Sequence, residues 1–178
     1  MQYSGNIYRS SKKGIYMIQK VFTSAVDGID AYPVEIEVDI SQGLPTVQVV
    51  GLPDTSIKES RDRIKAAVDN SGFSFPVKRI IVNLAPADTK KEGPGFDLPM
   101  ALGILAASNQ INTDHLKEYI VMGELSLDGR VRPVKGILPI SLLAAKTPDS
   151  KGVIVPKENA AEAALVKHLG VFPVETLR

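Results

Sequence analysis

KKEGPGFDLPMALGILAAS, Lys90 to Ser108, joins a glycine-proline-glycine loop directly to a helix whose first turn holds Asp97. A loop of that composition bends tightly and displays backbone N–H groups. From Leu98 to Ala107 the residues are apolar almost all round, which places the helix in a core and not on a surface. Upstream, Val77 to Leu84 carries Ile80-Ile81-Val82 without a breaker, which predicts a buried central strand feeding the Pro86-to-Phe96 loop. Downstream, GELSLDGRVRPVKG, Gly123 to Gly136, reads as a short strand, a turn at Asp128-Gly129 and a second strand stopped by Pro133.

The flanks extend this alternation of strands and helices. Gln19 to Ala25, Tyr32 to Ile40 and Thr46 to Val50 alternate or nearly so, predicting three strands that lean antiparallel. Pro53-Asp54-Thr55-Ser56 supplies helix-cap chemistry, with Ser56 and Glu59 spaced as a capping box. Ile57, Ile64, Ala67 and Val68 then share one helix face until Gly72. Beyond the hairpin the pattern predicts a helix from about Ile137 to Ala145, a strand over Gly152–Val155, a helix from Glu158 to about Leu169 and a strand over Val171–Val174. This order predicts one α/β (α+β) domain over 17–178, a two-layer sandwich with a mixed β-sheet. Residues 1–16 are polar, carry Arg9, Lys12 and Lys13 and lack a period, so they read as a disordered leader or remnant ahead of a natural start at Met17.

Composition narrows the chemistry. The 178 residues suffice for one full core, and a net charge of +1 leaves no global field for nucleic acid, so any anion site must be local. Absence of cysteine excludes disulfides, thiolate zinc sites and cysteine nucleophiles. His115 and His168 stand alone, so no metal site is expected. Nothing resembles a bilayer span or a signal peptide, and the expected location is the cytoplasm, with no membrane partner.

Three readings of Gly93-Pro94-Gly95 compete. A phosphate cradle fails, because there is no G-x-x-x-x-G-K-S/T and Asp97 would set a carboxylate where the phosphate should sit. A structural reading makes Asp97 the cap of its helix, with Gly93, Pro94 and Gly95 forming the turn into it. The third reading is a peptidase loop. Basic residues give the remaining signal. Lys58, Arg61, Arg63 and Lys65, then Lys78-Arg79, then Lys90-Lys91 are interleaved with or close to acids, as on an ordinary solvated surface. Arg130, Arg132 and Lys135 around the hairpin have only Asp128 nearby, and they are the candidate nucleic-acid contacts, through phosphates alone because no aromatic accompanies them.

The loop and the hairpin together resemble the proteolytic domain of Lon and the Lon-like domain of RadA-type recombination proteins. The resemblance is greatest to the N-terminal domain of the ComM/YifB family, the magnesium chelatase-related AAA+ proteins, followed from about Met17 to the end. Against Lon's G-P-S-A-G, Gly93-Pro94 match and Gly95 stands in the serine's place. Lon's lysine should precede Leu142-Leu143-Ala144-Ala145, yet Leu138-Pro139-Ile140-Ser141 has no base. The likeness to Lon is thus one of fold and not of chemistry, and it implies no catalytic residue here. Membership of the ComM/YifB family implies a hexameric ATP-driven motor that promotes DNA branch migration in natural transformation. ATP and Mg would bind in a C-terminal AAA+ domain outside this chain, whose partners would be that domain, its own copies in the ring, and single-stranded or branched DNA. A peptidase-like hydrolase with a displaced catalytic pair and a pure protein-interaction domain are the alternatives.

Overall fold

The computed structural model describes residues 18–178, so the predicted leader lies outside the described residues. Alternating apolar residues of β1 (Gln19–Asp27) and β2 (Asp30–Ser41) form an antiparallel hairpin in register from Gln19↔Val38 to Asp27↔Asp30. The order in the seven-stranded mixed sheet is β3-β4-β2-β1-β5-β8-β9. Its further members are β3 (Thr46–Val50), β4 (Arg79–Ala85), β5 (Tyr119–Val121), β8 (Gly152–Pro156) and β9 (Gly170–Val174). β6 (Glu124–Leu125) and β7 (Val131–Arg132) form the separate short hairpin. The expected mixed-sheet α/β fold is thereby found.

β1 and β2 pair antiparallel as expected, and β3 also runs opposite to β2 but is not its neighbour. β4 takes the free side of β2 antiparallel, from Glu35↔Ala85 to Ser41↔Arg79, so β3 reaches only the far side of β4 and pairs there in parallel. The ladder groups of β2 are already used on both sides.

Helix α1 (Thr55–Asn70) begins two residues earlier than a capping box at Ser56 requires. Its cap is Asp54, whose Oδ1 accepts from Ile57 N–H at 2.8 Å, and Ser56 already lies in the first turn. Helix α2 (Asp97–Ala107) is buried on nearly every side and lies flat on β1 and β2. Gly103 permits that approach, since a Cβ there would come within 2.8 Å of Val38 Cγ2. Helix α3 is Ile137–Lys146. The last predicted helix is much shorter: α4 spans Ala160–Ala163 and gives way to turns, with Leu165 69% exposed and His168 at φ 64°. Alanine propensity alone does not sustain a helix that buries so little.

Side chains alternate across β5 and β8, and the helices follow them. Val121 joins Val21, Ile36 and Leu105 in one cluster, whereas Ile120, Val153 and Val155 pack with Ile137, Ile140 and Ala144. α1 and α2 thus cover one face over the first half of the sheet, and α3 packs on the other face across β2, β1 and β8.

Candidate functional site

The glycine loop is a tightly held turn. Asp54 ties it to α1: one carboxylate oxygen caps the helix while the other accepts from Gly93 N–H at 3.0 Å. Lys91 is fully buried, its ammonium donating to the carbonyls of Pro86 and Thr89, and burial pushes it below the usual lysine range. Tyr32 Oη donates to Lys90 O at 2.7 Å.

Asp97 does not cap α2: no side-chain cap bond forms there. Its fully buried carboxylate points instead toward α1 and the β6–β7 hairpin. Oδ2 accepts from Arg63 Nε at 2.9 Å and from Leu125 N–H at 3.2 Å, while Oδ1 accepts from Arg63 Nη2 at 3.2 Å and from the Ser60 hydroxyl. Asp97 in turn holds the Arg63 guanidinium above its ordinary value, so it stays charged. The preceding Gly93–Phe96 turn already supplies the geometry that a cap would give, which leaves the carboxylate available for tertiary partners. The sequence reading passed over Ser60 and set Arg63 on a solvated surface. Their only signal was a buried serine position and a cation beside Ile57, Ile64 and Ala67 on an otherwise apolar face.

A cleft of about 440 Å³ opens beside the loop, bounded by Ser24, Val26, Gly95, Met122, Val134 and Lys135 among others. Gly95 forms part of its wall, and a Cβ on it would lie 2.9 Å from Met122 Cε. Ser24 Oγ is committed to Tyr32 O at 2.8 Å. Asn159 clamps the opposite wall, accepting from Val134 N–H and donating to Val134 O, both at 2.9 Å. Ser141 on α3 is fully buried and its hydroxyl has no hydrogen-bond partner among the described residues.

The hairpin cations are not the nearly acid-free cluster the linear sequence suggested. Arg130 Nε meets Asp128 Oδ2 at 2.8 Å, and Arg132 Nη1 lies 3.7 Å from Glu124. Antiparallel pairing sets Glu124 opposite Arg132, an acid eight positions away in sequence that period-two pairing would have revealed. Lys135 is exposed at the mouth of the cleft, apart from these pairs. The Ser126 hydroxyl, with the Arg130 N–H and guanidinium, holds Asp128 down to about 2. On the face of β1, β2 and β4 away from α2, Lys20 bonds Glu35 at 2.7 Å and Asn83 bonds Glu37 at 2.9 Å, and the Asn83 amide, with Lys20 behind it, holds the Glu37 carboxyl below its ordinary range. Among the described residues, no group of three or more His, Cys, Asp or Glu is arranged to hold a metal, and no helix is long and apolar enough to cross a membrane.

Comparison with known proteins places this geometry. Residues 36–159 match the family model described as subunit ChlI of Mg-chelatase. The chain is 46% identical over 158 residues to the YifB protein of Salmonella typhimurium, covering 89% of this chain and 31% of that protein. It is 46% identical over 157 residues to competence protein ComM of Haemophilus influenzae, covering 88% of this chain and 30% of that protein. A weaker similarity, 27% over 150 residues, links it to Lon protease 2 of Bacillus subtilis, covering 76% of this chain and 26% of the protease. The chain therefore spans about a third of the length of the ComM and YifB relatives it matches. It belongs to the family of the Mg-chelatase subunit ChlI, in the group that holds ComM and YifB.

Proposed function

We propose that this domain is a non-catalytic part of a larger ComM-type AAA+ protein and that it serves assembly of the hexameric ring more than guidance of DNA. In that reading the ATP and Mg site and the motor lie in the remaining two-thirds of the protein, which drives branch migration of DNA during natural transformation. The observation that carries the non-catalytic reading is Gly95, which offers no nucleophile at the cleft wall and is backed by Met122. A displaced catalytic pair would have to draw on Ser24 and Lys135, yet the Ser24 hydroxyl is fully buried and already bonded to a carbonyl.

Assembly is favoured over DNA contact by the carboxylates that accompany Arg130 and Arg132. A phosphate would have to compete with Asp128 and Glu124 for those guanidinium groups. Removal of residues 18–178 from the full-length protein tests the reading. ATP hydrolysis should persist while sedimentation shows loss of the ring, and the isolated domain should neither cleave casein nor take up a fluorophosphonate probe. Stoichiometric labelling of a serine, or rings that assemble unchanged without the domain, would overturn it.

A further inference from the structure

The sheet ends in two edges of different character. β9, GVFPV, carries Pro173, a residue without N–H that blunts an edge against further pairing. β3, TVQVV, has neither charge nor proline, and its register with β4 runs unbroken from Thr46↔Arg79 to Val50↔Asn83. That register fixes which main-chain groups are already used. Thr46 N–H donates to Lys78 O at 3.3 Å, so in the alternation of a parallel ladder Thr46, Gln48 and Val50 turn their groups toward β4. The N–H and C=O of Val47 and Val49 therefore point away from the sheet, where no described strand lies. Leu44, 84% exposed, and Leu52, 53% exposed, flank the strand, and Val77, 79% exposed, lies level with Leu44 in the parallel register.

We infer that β3 is an interaction edge that pairs antiparallel with β3 of a second copy of this chain, about a two-fold axis through Gln48. A second copy fits because the strand is symmetric about Gln48, with Val47 and Val49 one residue and Leu44 and Leu52 four residues to either side. A second copy laid antiparallel sets its Val49 opposite Val47 and its Val47 opposite Val49, and each such pair exchanges both of its hydrogen bonds. Gln48 then faces its own counterpart in the closer, non-hydrogen-bonded position. Leu44 of one copy arrives at the end of the strand that carries Leu52 of the other. No charge lies on the strand, so the two-fold operation brings no like charges together. The contact is isologous and closes at two, which makes it distinct from the head-to-tail contacts of a ring and independent of the role proposed above. Within a ring-forming parent it would join one ring to another.

Four hydrogen bonds and a few apolar side chains bury less than the roughly 1,200 Å² of a stable interface, so the pair is weak, with a Kd on the order of 0.1 mM. Sedimentation of the 178-residue chain up to about 1 mM should show a monomer–dimer equilibrium. Gln48→Lys, at an exposed position, should weaken the dimer at least about tenfold by setting two ammonium groups face to face. An equimolar mixture of Gln48→Lys with Gln48→Glu should restore it as a mixed dimer. Amide exchange provides a readout that a misfolded variant could not imitate: Val47 and Val49 of the unaltered chain should gain protection as concentration rises, while Thr46, Gln48 and Val50, bonded to β4, should not change. A chain that stays monomeric throughout, a Gln48→Lys variant that dimerises like the parent, or concentration-independent exchange at Val47 and Val49 would each overturn the inference.

Discussion

Asp97 and Asp128 each meet an arginine at nearly the same distance, 2.9 Å from Arg63 and 2.8 Å from Arg130, and they sit in opposite worlds. The Asp97 side chain, from α2, is 0% exposed and shares its oxygens between α1 and the hairpin backbone. The Asp128 side chain is 54% exposed and bonds only within its own turn. The separation between charges therefore says little about their weight. What decides is how much water returns when one partner is removed: around Asp128 it is already present, whereas removal of Asp97 leaves the Leu125 amide without its acceptor and the partly buried Arg63 guanidinium with only the Ser56 carbonyl and the Ser60 hydroxyl.

The sharpest way to break this contrast is Asp97→Ala, which strands a partly buried guanidinium and should lower stability by about 3–5 kcal/mol in denaturant unfolding. Asp97→Asn should fall between the two, since its amide oxygen can still accept from Ser60 or Leu125 but cannot neutralise Arg63. Equal losses for Ala and Asn would show that packing and not charge dominates there. A middle case is Asp54→Ala, which removes the α1 cap and the bond to Gly93 together. It should cost about 0.5–2 kcal/mol by the same measurement, and a cost as large as that of Asp97→Ala would mean that the loop matters more than the buried pair.

The smallest effect belongs to Asp128 and is one of pH. Its folded value, about 2, lies below its ordinary value of 3.8. The stabilisation it provides is therefore fully present above about pH 4 and fades as pH falls toward about 2. An NMR titration should place its midpoint near 2, and Ser126→Ala should raise that midpoint most, because the serine hydroxyl is the largest cause of the depression. A midpoint near 4 in the unaltered chain would remove the exposed half of the comparison.

Features written in local pattern were legible in the sequence. The all-round apolar Leu98–Ala107 became a core helix, and Asp128-Gly129 became the turn of a hairpin. The partners of Asp97 were not legible, because Ser60 and Arg63 lie 37 and 34 residues away and only the docking of α1 on α2 brings them near. Strand pairing hid in the same way: Thr46–Val50 announces a strand, but its choice of β4 over β2 depends on which ladder groups remain free. The overlong last helix shows the converse error, a favourable composition with too little surface to bury.

The three-way junction at Asp97 also bears on the route by which the chain folds. Were α2 to settle on the sheet before α1 and the hairpin arrived, it would carry an unneutralised carboxylate into an apolar interior, a state several kcal/mol uphill. Were α1 to come first, Arg63 could keep its water. The buried carboxylate thus penalises every partly assembled core that contains α2 alone, and it couples segments near residues 60, 97 and 125 into one cooperative unit. Amides of α1, α2 and β6 should then open to solvent together, at a single free energy.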